Sequence, residues 1–132
     1  MNRFAGFTHA LLRMVSAFIL ICPGGMKLFG WFDGMPPGIE LTPLLVTAGV
    51  IELIAGPLIL IGLFTRPVAF IASGEMAVAY FVGHFPMGFL PVQNHGEPAV
   101  LLCFIFLFLS ANGSGPFSLD HVRARRRTAA GS

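Results

Sequence analysis

Charge is what this chain has least of. Of its 132 residues only 11% are Asp, Glu, Lys or Arg, 8 basic and 6 acidic, while 55% are hydrophobic and the mean hydropathy is +0.82. So few charges cannot cover a water-soluble domain that also carries 14 Phe, which excludes an ordinary soluble fold and leaves lipid to cover the surface. Cysteine is equally scarce. Cys22 and Cys103 lie inside apolar runs with no CxxC or Cys/His spacing, which excludes a metal-ligand set and fits buried packing better than a redox pair. No flavin, haem or iron–sulfur motif is present, so the chain is expected to bind no cofactor covalently. Nucleic-acid binding is excluded on similar grounds: four of the eight basic residues, Arg123, Arg125, Arg126 and Arg127, sit in one short segment with no interleaved aromatics.

What is present is apolar sequence in long runs. A hydrocarbon core about 30 Å thick needs roughly 20 apolar residues per helix, and the chain divides into four such runs, at about 7–29, 43–64, 67–85 and 98–111. Breakers separate them: Asp33 to Gly38, Thr65-Arg66-Pro67, the segment from Pro86 to Pro98, and Asn112 to Pro116 after the last. The Thr-Arg-Pro linker is short enough to force an antiparallel hairpin. The expected fold is therefore all-α, one domain over 1–132 forming an integral membrane four-helix bundle with a basic cytoplasmic tail at 121–132. An Arg before an apolar run also begins a signal peptide, but no A-x-A site follows, and the first span is expected to be retained. With both termini cytoplasmic, Arg3, Arg66 and the four tail arginines lie inside and only Lys27 lies toward the outside, the arrangement the positive-inside rule favours.

Ionisable side chains inside the spans carry the most information, because a charge near a helix centre costs about 2.5 to 3.5 kcal/mol even on the lenient insertion scale. Arg13, Glu52 and Glu75 are the deepest and form the expected buried polar core. Ala48, Glu52, Ala55 and Ile59 share one helix face, and Ala72, Glu75, Ala79 and Val82 share another. Small neighbours let helices approach closely, so both faces are expected to point inward. Two uses of these charges stay open: a structural cluster in which Arg13 pairs with the glutamates, and a proton or ligand site in the bundle core. A second polar group, Lys27, His84, Gln93, Asn94, His95 and Glu97, falls at the outer interface. Ser73, Met76, Tyr80 and His84 run along one face toward it, as one wall of a pocket for an amphipathic ring would. Lys27, Tyr80, His84, Asn94 and Glu97 are the candidate ligand contacts there.

Several motifs in order extend this reading. Gly24-Gly25-Met26-Lys27-Leu28-Phe29-Gly30, Gly49-Val50-Ile51-Glu52-Leu53, Gly62-Leu63-Phe64-Thr65-Arg66, Gly74-Glu75-Met76-Ala77-Val78-Ala79-Tyr80-Phe81, His84-Phe85-Pro86, Gly88-Phe89, Asn94-His95-Gly96-Glu97 and Ser118-Leu119-Asp120 together resemble the DoxX family of small membrane proteins, over roughly 12–120. One departure is Pro23, where members of that family often carry histidine, so no role is carried over to that position; proline there is expected to kink or unwind the first span. The resemblance implies a multi-pass four-helix protein of the bacterial cytoplasmic (inner) membrane, with links in some relatives to quinone and thiol stress or to a thiosulfate:quinone oxidoreductase. It makes a membrane oxidoreductase component that binds a quinone-type lipid the leading functional expectation, with no established catalytic residue. The expected partners are the lipid bilayer and a redox partner protein or sister subunit, and a homo-oligomer is compatible with the sequence. The alternatives are a non-enzymatic scaffold or assembly subunit, and a small-solute or proton transporter, the latter disfavoured by the lack of inverted repeats and broken half-helices.

Overall fold

The computed structural model describes residues 2–131, so the outermost residues of the expected domain and tail, 1 and 132, lie outside the described residues. The first helix, α1, spans Arg3–Phe29. Its start is set by Asn2, whose side chain accepts the Ala5 N–H at 2.7 Å, and its end by Gly30 at φ 70°. At 1.5 Å per residue its 27 residues reach about 40 Å, more than a hydrocarbon core needs. It stays helical through Pro23, where the sequence suggested a kink or unwinding.

Helix α2 runs Pro43–Ile61, capped by the Thr42 hydroxyl on Leu45 N–H at 3.2 Å and closed by Gly62 at φ 71°. Helix α3 follows at Thr65–Ala79, widens into a π turn at Tyr80–His84 and tightens into a 3₁₀ turn at Phe85–Met87. The turn between α2 and α3 therefore lies at Gly62 to Phe64, earlier than Pro67 implied. A helix's first N–H groups have no partner within the helix, so Pro67 fits inside the first turn without breaking it. A short α4, Pro91–Asn94, precedes α5, Glu97–Asn112, and the basic tail is itself a helix, α6, over Leu119–Ala130. Ser118 starts α6 by accepting the His121 N–H at 3.1 Å, and Asp120 in the first turn with Arg127 in the last suits the helix dipole.

No strand occurs among the described residues, and three helical stretches, Arg3–Phe29, Pro43–Ile61 and Thr65–Met87, are long and apolar enough to cross a membrane. Helix α5 is equally apolar but has 16 residues, about 24 Å, short of a full hydrocarbon core. Helix α1 packs along α2 and α3 along α5; the tight turn joins the two pairs, and α1 touches α5 only sparsely. The α1–α2 seam depends on glycine. A Cβ at Gly24 would lie 2.9 Å from the Glu52 Cβ, and one at Gly56 would lie 2.4 Å from Ile21 Cγ1. Between the pairs lies an apolar layer that includes Ala17, Leu20, Ile59, Ala72, Met76 and Phe106. Phe4, Phe18, Phe70, Phe104 and many other large apolar side chains face outward, as a lipid-immersed bundle requires.

Candidate functional site

Three ionisable side chains meet above the apolar layer, one each from α1, α2 and α3. Gly24 and Gly49 bring α1 and α2 close enough for Lys27, in the last turn of α1, to reach Glu52. Its Nζ donates to both Glu52 carboxylate oxygens, at 2.8 and 2.9 Å. Glu52 is 1% exposed. Such a pair gains little net stability, because desolvation offsets the attraction, yet removing one partner strands a buried charge at a cost of about 3 to 5 kcal/mol.

Glu75 completes the cluster from α3, within electrostatic reach of Glu52 and Lys27. It is 9% exposed, and neither of its carboxyl oxygens meets a donor among the described residues. Buried acceptors are paired in the great majority of cases, so an acid with two open oxygens is exceptional. The site holds two acids and one ammonium, so one further donor would balance it: a proton shared between the adjoining Glu52 and Glu75 carboxyls, or the O–H or N–H of a bound molecule. A quinol hydroxyl is such a donor, and the residues present fit a quinone-type head group on that ground.

Arg13 does not join this cluster. Fourteen residues separate it from Lys27 along α1, about 21 Å at 1.5 Å per residue. Its fully buried guanidinium donates instead to backbone carbonyls after α5: Ser114, Pro116 at 3.1 Å and Phe117 at 2.8 Å. His9 Nε2 bonds the Gly113 carbonyl at 2.9 Å, and Arg66 donates to that of Ala111. The last carbonyls of a helix need outside donors, and Arg66 supplies one at Ala111, while His9 and Arg13 hold the loop that follows α5. In return Asp120 accepts the N–H groups of Phe64 and Thr65, each at 2.9 Å, at the start of α3. The structural cluster in which Arg13 pairs with the glutamates, one of the two uses left open by the sequence, does not form: Lys27 pairs with Glu52 and Arg13 bonds the loop after α5.

The remaining candidates separate as well. Tyr80, His84 and Asn94 do come together, but around each other and the loop rather than around an opening. Asn94, fully buried, donates to the Tyr80 hydroxyl at 3.2 Å and to the Gly88 carbonyl at 2.9 Å, and its Oδ1 accepts the Gly96 N–H at 2.9 Å. His84 Nδ1 bonds the Asn94 carbonyl at 3.1 Å, and Tyr80 donates to that of Phe89 at 3.3 Å. Ser73 and Met76, read as the continuation of the same wall, are buried, with the Ser73 hydroxyl donating to the Cys103 carbonyl at 2.7 Å. Glu97 is exposed at the start of α5, apart from Lys27 in its pair with Glu52. Cys22 and Cys103 are free thiols.

Comparison with known proteins bears on the same residues. The family model described as DoxX matches residues 8–85, a span that includes Lys27, Glu52 and Glu75. A protein of Haemophilus influenzae, described as uncharacterized, is 37% identical over 126 residues, covering 92% of this chain and 94% of its own. No solved structure matches the chain.

Proposed function

The chain belongs to the DoxX family, and from that premise we propose that it is a four-span component of a quinone-linked oxidoreductase in the bacterial cytoplasmic membrane, with both termini inside. The observation that carries the reading is Glu75: a buried acid with two open acceptor oxygens beside an already paired lysine and glutamate. A quinone-type lipid, when bound, supplies the two-electron chemistry. This chain's residues handle protons and position. Glu75 accepts the hydrogen bond, and the proton, of a head-group hydroxyl. Glu52, held by Lys27, stands beside Glu75, and the Lys27 ammonium offsets part of the charge that the two neighbouring acids can carry. The Tyr80, His84 and Asn94 bonds hold the outer loop in place above the site. A redox partner protein supplies or removes the electrons.

A structural reading also has an observation in its favour, the closed Lys27–Glu52 pair, which by itself would serve to fix helix packing. Quinone extracted from the purified protein separates the two. The proposal expects wild type to retain quinone near one per chain and Glu75→Gln to retain at least tenfold less at unchanged thermal stability. Equal retention in both, or none in either, leaves the structural reading.

A further inference from the structure

At the end of the bundle opposite Lys27, the start of α1, the α2–α3 turn, the α5–α6 loop and α6 line an open cleft of about 850 Å³, within the range of small-molecule sites. Its walls combine two chemistries. Phe7, Phe64 and Phe117 supply apolar faces, while Arg3, Arg66 and His121 bring cationic or proton-donating groups from three separate elements. The Arg3 side chain makes no hydrogen bond or ion pair among the described residues, and Arg66 commits one terminal nitrogen to the Ala111 carbonyl. Asp120 is the acid in the lining, and both of its oxygens already take the Phe64 and Thr65 N–H groups. The balance left to an occupant is therefore positive.

Helix α6 extends the pattern. Arg123 stacks over the Phe64 ring with its guanidinium carbon 4.9 Å from the centroid, and Arg125, Arg126 and Arg127 follow. Phe64 and Phe7 are each 51% exposed at the ends of helices otherwise clad for lipid. A cleft at that level, aromatic toward the hydrocarbon and basic toward water, matches a molecule with an anionic head and apolar chains. We propose that it binds one anionic glycerophospholipid, its phosphate between Arg3 and Arg66 and its upper acyl carbons against Phe7, Phe64 and Phe117. This site is independent of the quinone reading and uses none of its residues.

The test is native mass spectrometry of the full chain released from bilayer discs of equal phosphatidylglycerol and phosphatidylcholine. The expected result is one retained phosphatidylglycerol per chain at about tenfold preference. Removing one arginine from an anionic lipid contact weakens binding about fivefold, so Arg3→Gln should lower retention by about that factor and Arg3→Gln/Arg66→Gln by more. Arg125→Gln/Arg126→Gln, outside the cleft lining, should leave the preference in place. Arg3 has no structural bond to lose, so Arg3→Gln keeps the test valid even where Arg66→Gln disturbs the α5 end. Equal retention of the two lipids would overturn the proposal. So would a preference lost with Arg125 and Arg126 but not with Arg3, which means diffuse surface attraction, or displacement of the lipid by millimolar inorganic phosphate, which means a water-soluble anion.

Discussion

Three acidic or basic side chains above the apolar layer of the bundle differ in what each would leave behind if removed. Lys27→Met strands Glu52, which is 1% exposed, without its cation; a loss of about 3 to 5 kcal/mol is expected, read as a large fall in melting temperature in detergent. Adding Glu52→Leu to that variant removes the stranded charge and should recover most of the loss, because an apolar pair of similar volume is close to neutral against a buried ion pair. Glu75→Leu should be neutral or slightly stabilising, since no donor is lost with it. A stability loss at Glu75 as large as that at Lys27 would mean the acid is a packing element. The inward direction of both glutamates was legible from the small residues spaced around them. Lys27 as their partner was not: hydropathy placed it at the outer edge of the first span, whereas the close approach at Gly24 and Gly49 draws it into the bundle.

Among the elements, the apolar helices were legible because their length follows from bilayer thickness, and their order from the breakers between them. The joints were harder. Arg13 was read by depth alone, and its real partners are backbone carbonyls at Ser114, Pro116 and Phe117, acceptors that every residue type carries and no motif marks. The start of α3 was hidden in the same way, because Asp120 supplies the capping group from 55 residues away. Asp120→Ala should therefore cost about 1 to 2 kcal/mol, as loss of a helix cap does, measured as a lower unfolding midpoint. The α1–α2 seam gives a sharper expectation. Gly56→Leu drives a side chain into Ile21, and since a bare Cβ already falls 2.4 Å from that residue, the two helices must part. Cross-linking between cysteines placed on facing positions of α1 and α2 should be lost in that variant and kept in a lipid-facing control such as Phe70→Leu.

At the scale of the whole molecule, the bundle has a division of labour along its axis. One end is stapled by Arg13, His9, Arg66 and Asp120, the middle is apolar, and the other end holds the Lys27, Glu52 and Glu75 cluster beneath a loop tied by Asn94. In the proposed topology both ends of the chain should report the cytoplasmic side in reporter fusions, because Arg3, Arg66 and the four arginines of α6 outnumber Lys27. The chain has a single tryptophan, Trp31, whose indole covers Gly25, so it lies at the same end of α1 as Lys27 and serves as a built-in reporter of binding there. Titration of the purified protein with a short-chain quinone, followed by quenching of Trp31 fluorescence, is the most direct measurement of what the cluster does. A saturable quench in wild type, with its midpoint raised at least tenfold by Glu75→Gln while the melting temperature holds, is the expected result. The same saturation midpoint in both proteins would contradict the role given to Glu75.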